Sequence, residues 1–287
     1  MKDYHQLLFP YAYNILGSVD DAEDAVQEAM VKFISVQKDD VRNEKAYLIR
    51  MVINQSIKMK DRMKRMINRQ TWLPEPILTE GIDENINDEQ LLSYTMLVLL
   101  EQLNARERAI FILKEAFSFS HNEIAKLFSL APGNSRKILS RARQKLHPSK
   151  SFSDKSEISS SSFFEQYLDV IRRGDLEALK LLLSHEVSLM ADGGEKIQVE
   201  KEVILGINAT AAMILFIFKK YQQHLKINYH QVNHQPALLY SNDNKVVVCQ
   251  IFRLETGTMQ VDRIYSVVDP DKLNHFYKKM NREKRNN

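Results

Sequence analysis

Apolar positions recur at helical spacing through the first half of the chain. Residues 4–16 form one such pattern, closed by Gly17. A second opens at Ser18 or Asp20, with Asp21, Glu23 and Asp24 in its first turn, where the helix dipole favours acids. Its apolar positions Ala22, Val26, Ala29, Met30 and Phe33 make one buried stripe. A third starts near Asn43 and runs through Ala46, Leu48, Ile49, Val52, Ile53 and Ile57. A further helical block spans 91–146, with Leu97, Leu100, Leu103, Ile110, Leu113 and Phe117 facing a core. Within it, Ser120-His121-Asn122-Glu123 has the form of a capping box and predicts a short helix over 122–128. A turn over 129–133 leads to a second helix over 132–147, begun by Pro132, whose missing N–H costs nothing in a first turn. Short helix, turn and basic second helix is the helix-turn-helix pattern.

From Phe163 the period changes. Helices are expected over 163–173 and 176–183, the latter capped by Asp175, and one apolar helix over 209–221. The strand candidates are 187–191, 225–234, 237–240, 245–254 and 259–267, with turns at 241–244 and 255–258. Helices followed by an antiparallel meander describe an α+β domain. The expected organisation is therefore multidomain: a helical bundle (1–70), an acidic linker (71–92), a helix-turn-helix module (93–147), a Ser-rich linker (148–162), an α+β domain (163–277) and a basic tail (278–287). Only 8 glycines and 7 prolines occur in 287 residues. That is about half their usual share and suits a chain rich in helix.

The net charge of +3 is a near-cancellation that hides segregation. Lys58, Lys60, Arg62, Lys64, Arg65 and Arg69 stand against one acid, Asp61. Residues 71–92 contain acids but no Lys or Arg. Arg136, Lys137, Arg141, Arg143 and Lys145 then return to positive charge. In the last helix of that block, Ser135, Ile138, Leu139, Ala142 and Leu146 form the inward stripe. Arg136, Lys137, Ser140, Arg143 and Gln144 face outward, with Arg141 at the edge. Such side chains reach base edges and phosphates. A single cysteine, Cys249, leaves no intrachain disulfide and no thiolate zinc site, and points to a reducing compartment. The first residues lack a long apolar core and a cleavage site, and 209–218 is too short to cross a bilayer. A cytoplasmic protein with no membrane association is expected.

These segments resemble the extracytoplasmic-function sigma factors of bacterial RNA polymerase. LGSVDDAEDAVQEAMVKF (16–33) is similar to sigma regions 2.1–2.2, AYLIRMVINQSIKMKDR (46–62) to regions 2.3–2.4, and residues 103–146 to region 4, including the S-R-A-R run. WLPEP (72–76) resembles the linker of a subgroup with a C-terminal SnoaL-like domain of the nuclear-transport-factor-2-like, cone-shaped α+β fold. DGGEK (192–196) and DPDKL (269–273) resemble two further motifs of that subgroup, with Glu195 where the pattern has Gly and Asp269 where it has Asn. The resemblance implies core polymerase and promoter DNA as partners, with no cofactor, metal or catalysis. Asp21, Asp24, Gln27 and Glu28 would meet the clamp helices of the largest subunit, while region 4 would lie by the flap. Asn54 and Lys58 would meet bases of the −10 element, and Lys60, Arg62, Lys64 and Arg65 its phosphates. Arg136, Lys137, Ser140, Arg141 and Arg143 would read the −35 element, and the acidic linker would thread toward the RNA exit path. Trp72, Pro74, Pro76, Asp192, Gly193, Gly194, Lys196, Asp269, Pro270 and Asp271 would be regulatory, the C-terminal domain gating activity directly.

The cone fold also hosts isomerases, so Asp192 or Asp262 could serve as a pocket acid with Tyr229, Tyr240 or Tyr265 as donor, and a small molecule could bind the pocket. His230 and His234 share a strand face by period-two spacing, without a third metal ligand nearby, and Cys249 reads as a packed apolar residue. Two other readings remain open: a ligand-sensing DNA-binding regulator that works without polymerase, and an enzyme with a DNA-binding appendage.

Overall fold

The computed structural model describes residues 4–35, 41, 43–66, 72–79, 90–146, 161–243, 245–255, 257–274 and 276. The chain divides into two compact units, one of Met1–Asn68 with Gly81–Ser153, the other of Arg69–Glu80 with Asp154–Asn287. The expected acidic stretch 80–89, most of the Ser-rich linker, the side chains of Lys64 and Arg65, and the basic tail lie outside the described residues.

The first unit is helical. Helix α1 (His5–Leu16) ends where Gly17 takes φ 73° and its amide binds the Tyr13 carbonyl, a left-handed stop that glycine adopts without strain. Helix α2 (Val19–Ile34) opens with the Ser18 hydroxyl accepting from the Asp21 amide at 3.3 Å, and buries Ala22, Ala25, Val26 and Ala29. Helix α3 (Glu44–Met66) packs on both. Next come α4 (Tyr94–Leu99), a 3-10 turn (Leu100–Gln102), α5 (Ala105–Glu115), α6 (His121–Phe128) and α7 (Pro132–Lys145). Reciprocal capping boxes, Asn104 with Glu107 and Ser120 with Glu123, begin α5 and α6. Helix α5 lies against α1 and α3 as well as α6 and α7, so the helix-turn-helix shares a core with the first three helices. The Tyr11 ring stacks on Phe117 with centroids 3.9 Å apart.

The second unit is α+β. Helices α8 (Ser161–Arg173) and α9 (Leu176–Leu181) precede strand β1 (Leu183–Asp192), then β2 (Ile204–Leu205), α10 (Ile207–Ile217) continued by a π turn (Phe218–Gln222), and β3 (Lys226–Val232), β4 (Gln235–Asn242), β5 (Lys245–Leu254) and β6 (Val261–Val267). The six strands form one open sheet in the order β2-β1-β6-β5-β4-β3. Strands β3 to β6 are the expected antiparallel meander, but β1 joins β6 in parallel. A parallel pair needs a long connection, here the whole of α10 and the meander, which local alternation cannot reveal.

Cross-strand register separates the two faces of the sheet. Leu238, Tyr240, Val248, Phe252 and Ile264 join Phe164, Tyr167, Val170 and Ile214 of the helices in one core. The alternate rows, Leu239–Cys249–Val267 and Ala237–Ile251–Tyr265, lie on the opposite face and are buried too. Residues 73–78 are all buried, although they fall in the stretch expected to be a linker. Two extended anchors fix this strap. At one end the Leu73 amide donates to Asp192 at the end of β1. At the other, Leu78 pairs with Val232, and the Thr79 amide binds the Gln231 carbonyl at 3.0 Å, extending edge strand β3. β1 and β3 are four strand spacings apart, about 19 Å, and five extended steps from Leu73 to Leu78 cover about 17 Å. The strap therefore crosses the sheet.

Strand β3 ends at Val232, so His234 lies in the hairpin turn and not on the strand face shared by His230. Asn233 and His234 both take positive φ, 47° and 59°, as a two-residue hairpin loop of the right twist requires. Asparagine tolerates this region better than most residues, which signals the turn.

Phe252 is fully buried against the rings of Phe164 and Tyr167. Phe252→Ala is expected to destabilise the second unit by about 3–5 kcal/mol, read as a lowered midpoint in urea denaturation.

Candidate nucleic-acid and polymerase interfaces

Helix α7 presents Arg136, Lys137, Ser140 and Arg141 as exposed side chains above the buried Ser135, Leu139 and Ala142, as the inward stripe requires. Arg143 is exposed but bridged to Glu115 at 2.6 Å, and Lys145 is bridged to Glu107 at 2.7 Å. Both pairs tie the far end of α7 to α5. At the near end, His121 Nδ1 and Ser135 Oγ meet at 3.0 Å, joining the starts of α6 and α7. Desolvation holds the His121 pKa below its ordinary value, aided by Lys114, Arg136 and Arg143. Glu115, paired with Arg143, acts in the opposite sense.

On α2, Asp24, Gln27 and Glu28 are exposed, and Asp21 is half-buried in the first turn. Glu28 also accepts from Lys32 at 2.5 Å and from Gln55 on α3. On α3, Asn54, Lys58 and Arg62 are exposed. Lys60 departs from the expected phosphate contact. It is only 7% exposed, and its ammonium donates to the Leu16 carbonyl at 2.8 Å and to Glu101 at 2.9 Å. The cause is periodicity: Val52, Ser56 and Lys60 recur every four residues on the inward side of α3. Continuing the apolar stripe past Ile57 was the signal that could have placed it.

The three motifs of the second unit form one cluster. Asp192 Oδ1 accepts from the Gly194 amide at 2.9 Å, closing a turn within the motif. Its Oδ2 accepts from the Leu73 amide at 2.9 Å and from Lys272 Nζ at 2.6 Å. The Asp192 carbonyl receives the amides of Val268 and Asp269. Lys272 also binds the Leu73 carbonyl and lies 4.3 Å from the centre of the Trp72 ring. Both glycines are sterically required. A Cβ on Gly194 would meet the Asp269 carboxyl at 2.3 Å, and one on Gly193 would meet the Ile197 carbonyl oxygen at 2.0 Å. Asp269 Oδ1 accepts from the Asp271 amide at 3.1 Å, capping the helical turn that carries Lys272. Lys196 pairs with Asp271 in solvent. Pro74 and Pro76 are buried in the strap, where their fixed φ suits extended chain.

The residues considered for proton transfer are otherwise engaged. Asp262 is paired with Arg253, Tyr240 donates to Gln250, and Tyr229 packs beside Phe164. Tyr265 lies on the strap face of the sheet. Cys249 is buried within β5, and burial raises its thiol far above the usual range. Among the described residues, no three His, Cys, Asp or Glu side chains are grouped to hold a metal, and no helix is long and apolar enough to cross a membrane.

Residues 1–66 match the family model described as Sigma-70 region 2, and residues 95–146 the one described as Sigma-70, region 4. The ECF RNA polymerase sigma factor SigJ of Mycobacterium tuberculosis is 25% identical over 227 residues, covering 75% of this chain and 71% of SigJ. The probable ECF RNA polymerase sigma factor SigI of the same organism is 23% identical over 281 residues, covering 95% and 93%. The crystal structure of Mycobacterium tuberculosis SigJ superposes with a TM-score of 0.72 at 22% identity, covering 94% of this chain and 95% of that one. The chain carries both Sigma-70 regions and is similar to extracytoplasmic-function sigma factors over most of its length. The superposition extends over the α+β unit, so the chain has the fold expected of the subgroup along almost its whole length.

Sequence reasoning singled out Asp269, Pro270 and Asp271 but passed over Lys272, the side chain that closes the cluster. It also missed Asn233, whose side chain accepts from the Ile77 amide at 2.9 Å and anchors the far end of the strap. A lone lysine after two acids reads as a solvated pair, and nothing local marks its burial.

Burial alone would raise the Asp192 carboxyl pKa, but Lys272 and the amides of Leu73 and Gly194 outweigh it and hold it below the ordinary 3.8. The stabilisation is thus complete above that value and is lost as pH falls through the lower folded value. Trp72, the one tryptophan, reports the strap by its fluorescence. In Lys272→Met the burial effect goes unopposed by the ammonium, so the acid transition of Trp72 emission should move to higher pH. An unchanged midpoint would count against the cluster as the strap's anchor.

Proposed function

We propose that this protein binds core RNA polymerase and directs promoter-specific transcription initiation. Region 2 captures the −10 element and region 4 reads the −35 element. The observation that carries this reading is the outward row Arg136, Lys137, Ser140 and Arg141 on the second helix of a capped helix-turn-helix, in a chain that also carries region 2. A helix so placed enters the major groove, where arginine and lysine read guanine edges. Asn54, Lys58 and Arg62 on the exposed side of α3 suit unpaired bases and phosphates of an opened strand. The exposed acids Asp24 and Glu28 with Gln27 offer a polar surface to the polymerase clamp. No step of this activity is catalytic, and sigma factors as a family are not enzymes.

Regulation by the second unit is part of the proposal. Eight residues that join region 2 to region 4 in sequence, 72–79, belong to the second unit's fold. Whatever loosens the Asp192–Lys272 cluster therefore frees the connection between the two DNA-binding regions.

Purified protein with core polymerase should give run-off transcripts from a −35/−10 promoter selected from a library, and a complete absence of such transcripts overturns the reading. The double variant Arg136→Ala/Lys137→Ala should lose at least tenfold in transcript from that promoter, at about 1–3 kcal/mol for each good base contact. Full-length Lys272→Met should change transcript yield, and an unaltered yield would remove the regulatory role.

A further inference from the structure

Region 2 and region 4 are packed together, and their junction contains buried charge. Arg108, on α5 of region 4, is fully buried, and its Nε donates to the Asn14 carbonyl of α1 at 2.9 Å. The same guanidinium pairs with Glu101, which also takes the Lys60 ammonium of region 2 at 2.9 Å. Lys60 in turn caps the Leu16 carbonyl at the end of α1. Burial favours the neutral form of Glu101, yet Arg108 and Lys60 outweigh it and hold the carboxyl below its ordinary value. Asn14 adds a second tie, donating to the Gln90 carbonyl at 2.8 Å and accepting from the Leu92 amide at 3.1 Å just ahead of region 4. Glu101 thus holds one cation from each region.

This packing conflicts with simultaneous promoter contacts. Elements named for positions −35 and −10 lie about 25 base pairs apart, roughly 85 Å along B-DNA. A compact unit of about 140 residues has a radius of gyration near 14 Å and is roughly 40 Å across. Regions 2 and 4 cannot reach both elements while sharing one core. Lys60, moreover, is turned inward in a segment whose exposed residues suit DNA.

We propose that Lys60, Glu101 and Arg108 form a charge latch that holds the two regions in a closed resting state, and that promoter engagement requires it to open. The inference rests on the −10/−35 reading above. Opening releases Lys60 from Glu101 and exposes the inward side of α3 on which it lies with Val52 and Ser56. A latch of two buried cations on one half-buried carboxylate opens as a unit. Each ion is tolerable inside only with its partners, and removing one leaves the others unmatched.

The test uses full-length protein labelled with a donor and an acceptor dye at Val31→Cys on α2 and Lys126→Cys on α6, both exposed positions, with Cys249 buried and unreactive. Glu101→Gln should lower energy transfer in the free protein and raise promoter-dependent transcript at limiting sigma by at least threefold. Asn14→Ala, which leaves the charges in place, should shift transfer in the same direction by less, and it carries the test if Glu101→Gln fails to fold by circular dichroism. Transfer efficiency equal to the parent in the folded variants overturns the latch. Lowered transfer without transcripts from any promoter leaves the latch standing and overturns the sigma reading instead.

Discussion

A carboxylate taken out of water must find matched donors, and Asp192 finds them in three segments far apart in sequence. Its side chain binds an amide of its own turn, an amide of the strap and the Lys272 ammonium. Its carbonyl binds the amides that follow β6. Removing any one of these would leave a buried charge or dipole unmet, at a cost greater than the bond itself contributes. The arrangement therefore fixes the end of β1, the start of the strap and the last helical turn at once. The two glycines follow from it, because the turn that aims Asp192 leaves no space for a Cβ at 193 or 194.

The strap explains a sheet that would otherwise be half wet. Leu239, Cys249, Ile251, Tyr265 and Val267 form an apolar face away from the three helices. An isolated α+β module with that face exposed would aggregate or recruit a partner. The buried strap, bonded to β1 and β3, is a segment lying between the two Sigma-70 regions in sequence. Stability of the C-terminal unit and freedom of the interregion connection are thereby coupled: the strap cannot leave without wetting the sheet. That coupling gives the proposed regulation by the fused domain a physical form, since loss of the strap's bonds to β1 and β3 would act on both.

Much of this was legible in the sequence, for reasons that can be named. Periodicity located α2, α3, α6 and α7 to within a few residues, because each has one buried stripe, while α1, buried all round from Leu8 to Leu16, was placed by its Gly17 stop. β5 was placed at its observed bounds because alternation and flanking turns agree. The long-range pairings were not legible. The parallel β1–β6 edge, the strap on β3 and the Lys272 contact with Trp72 join residues 70 to 200 positions apart, and no local pattern encodes them. The motif resemblance grouped Trp72, Asp192 and Asp269 without showing that Lys272, on the turn Asp269 caps, joins Trp72 to Asp192. Lys60 is the instructive failure. Read as a member of a basic run it faces DNA, whereas read as the next step of a stripe it faces the core.

Two clusters of buried cations and carboxylates thus stand at two junctions between segments distant in sequence. Buried ion pairs add little net stability compared with apolar packing, since desolvation offsets most of the attraction. What they add is geometry: a cation can be satisfied only where the acid and the carbonyls stand. An apolar junction between regions 2 and 4 could slide and repack, and an apolar strap could shift by a residue or two along the sheet. Asp192 and Glu101 forbid intermediate registers, so each junction is either made or broken. For the proposed switch between holding the two regions and releasing them, that all-or-none character matters more than additional stability.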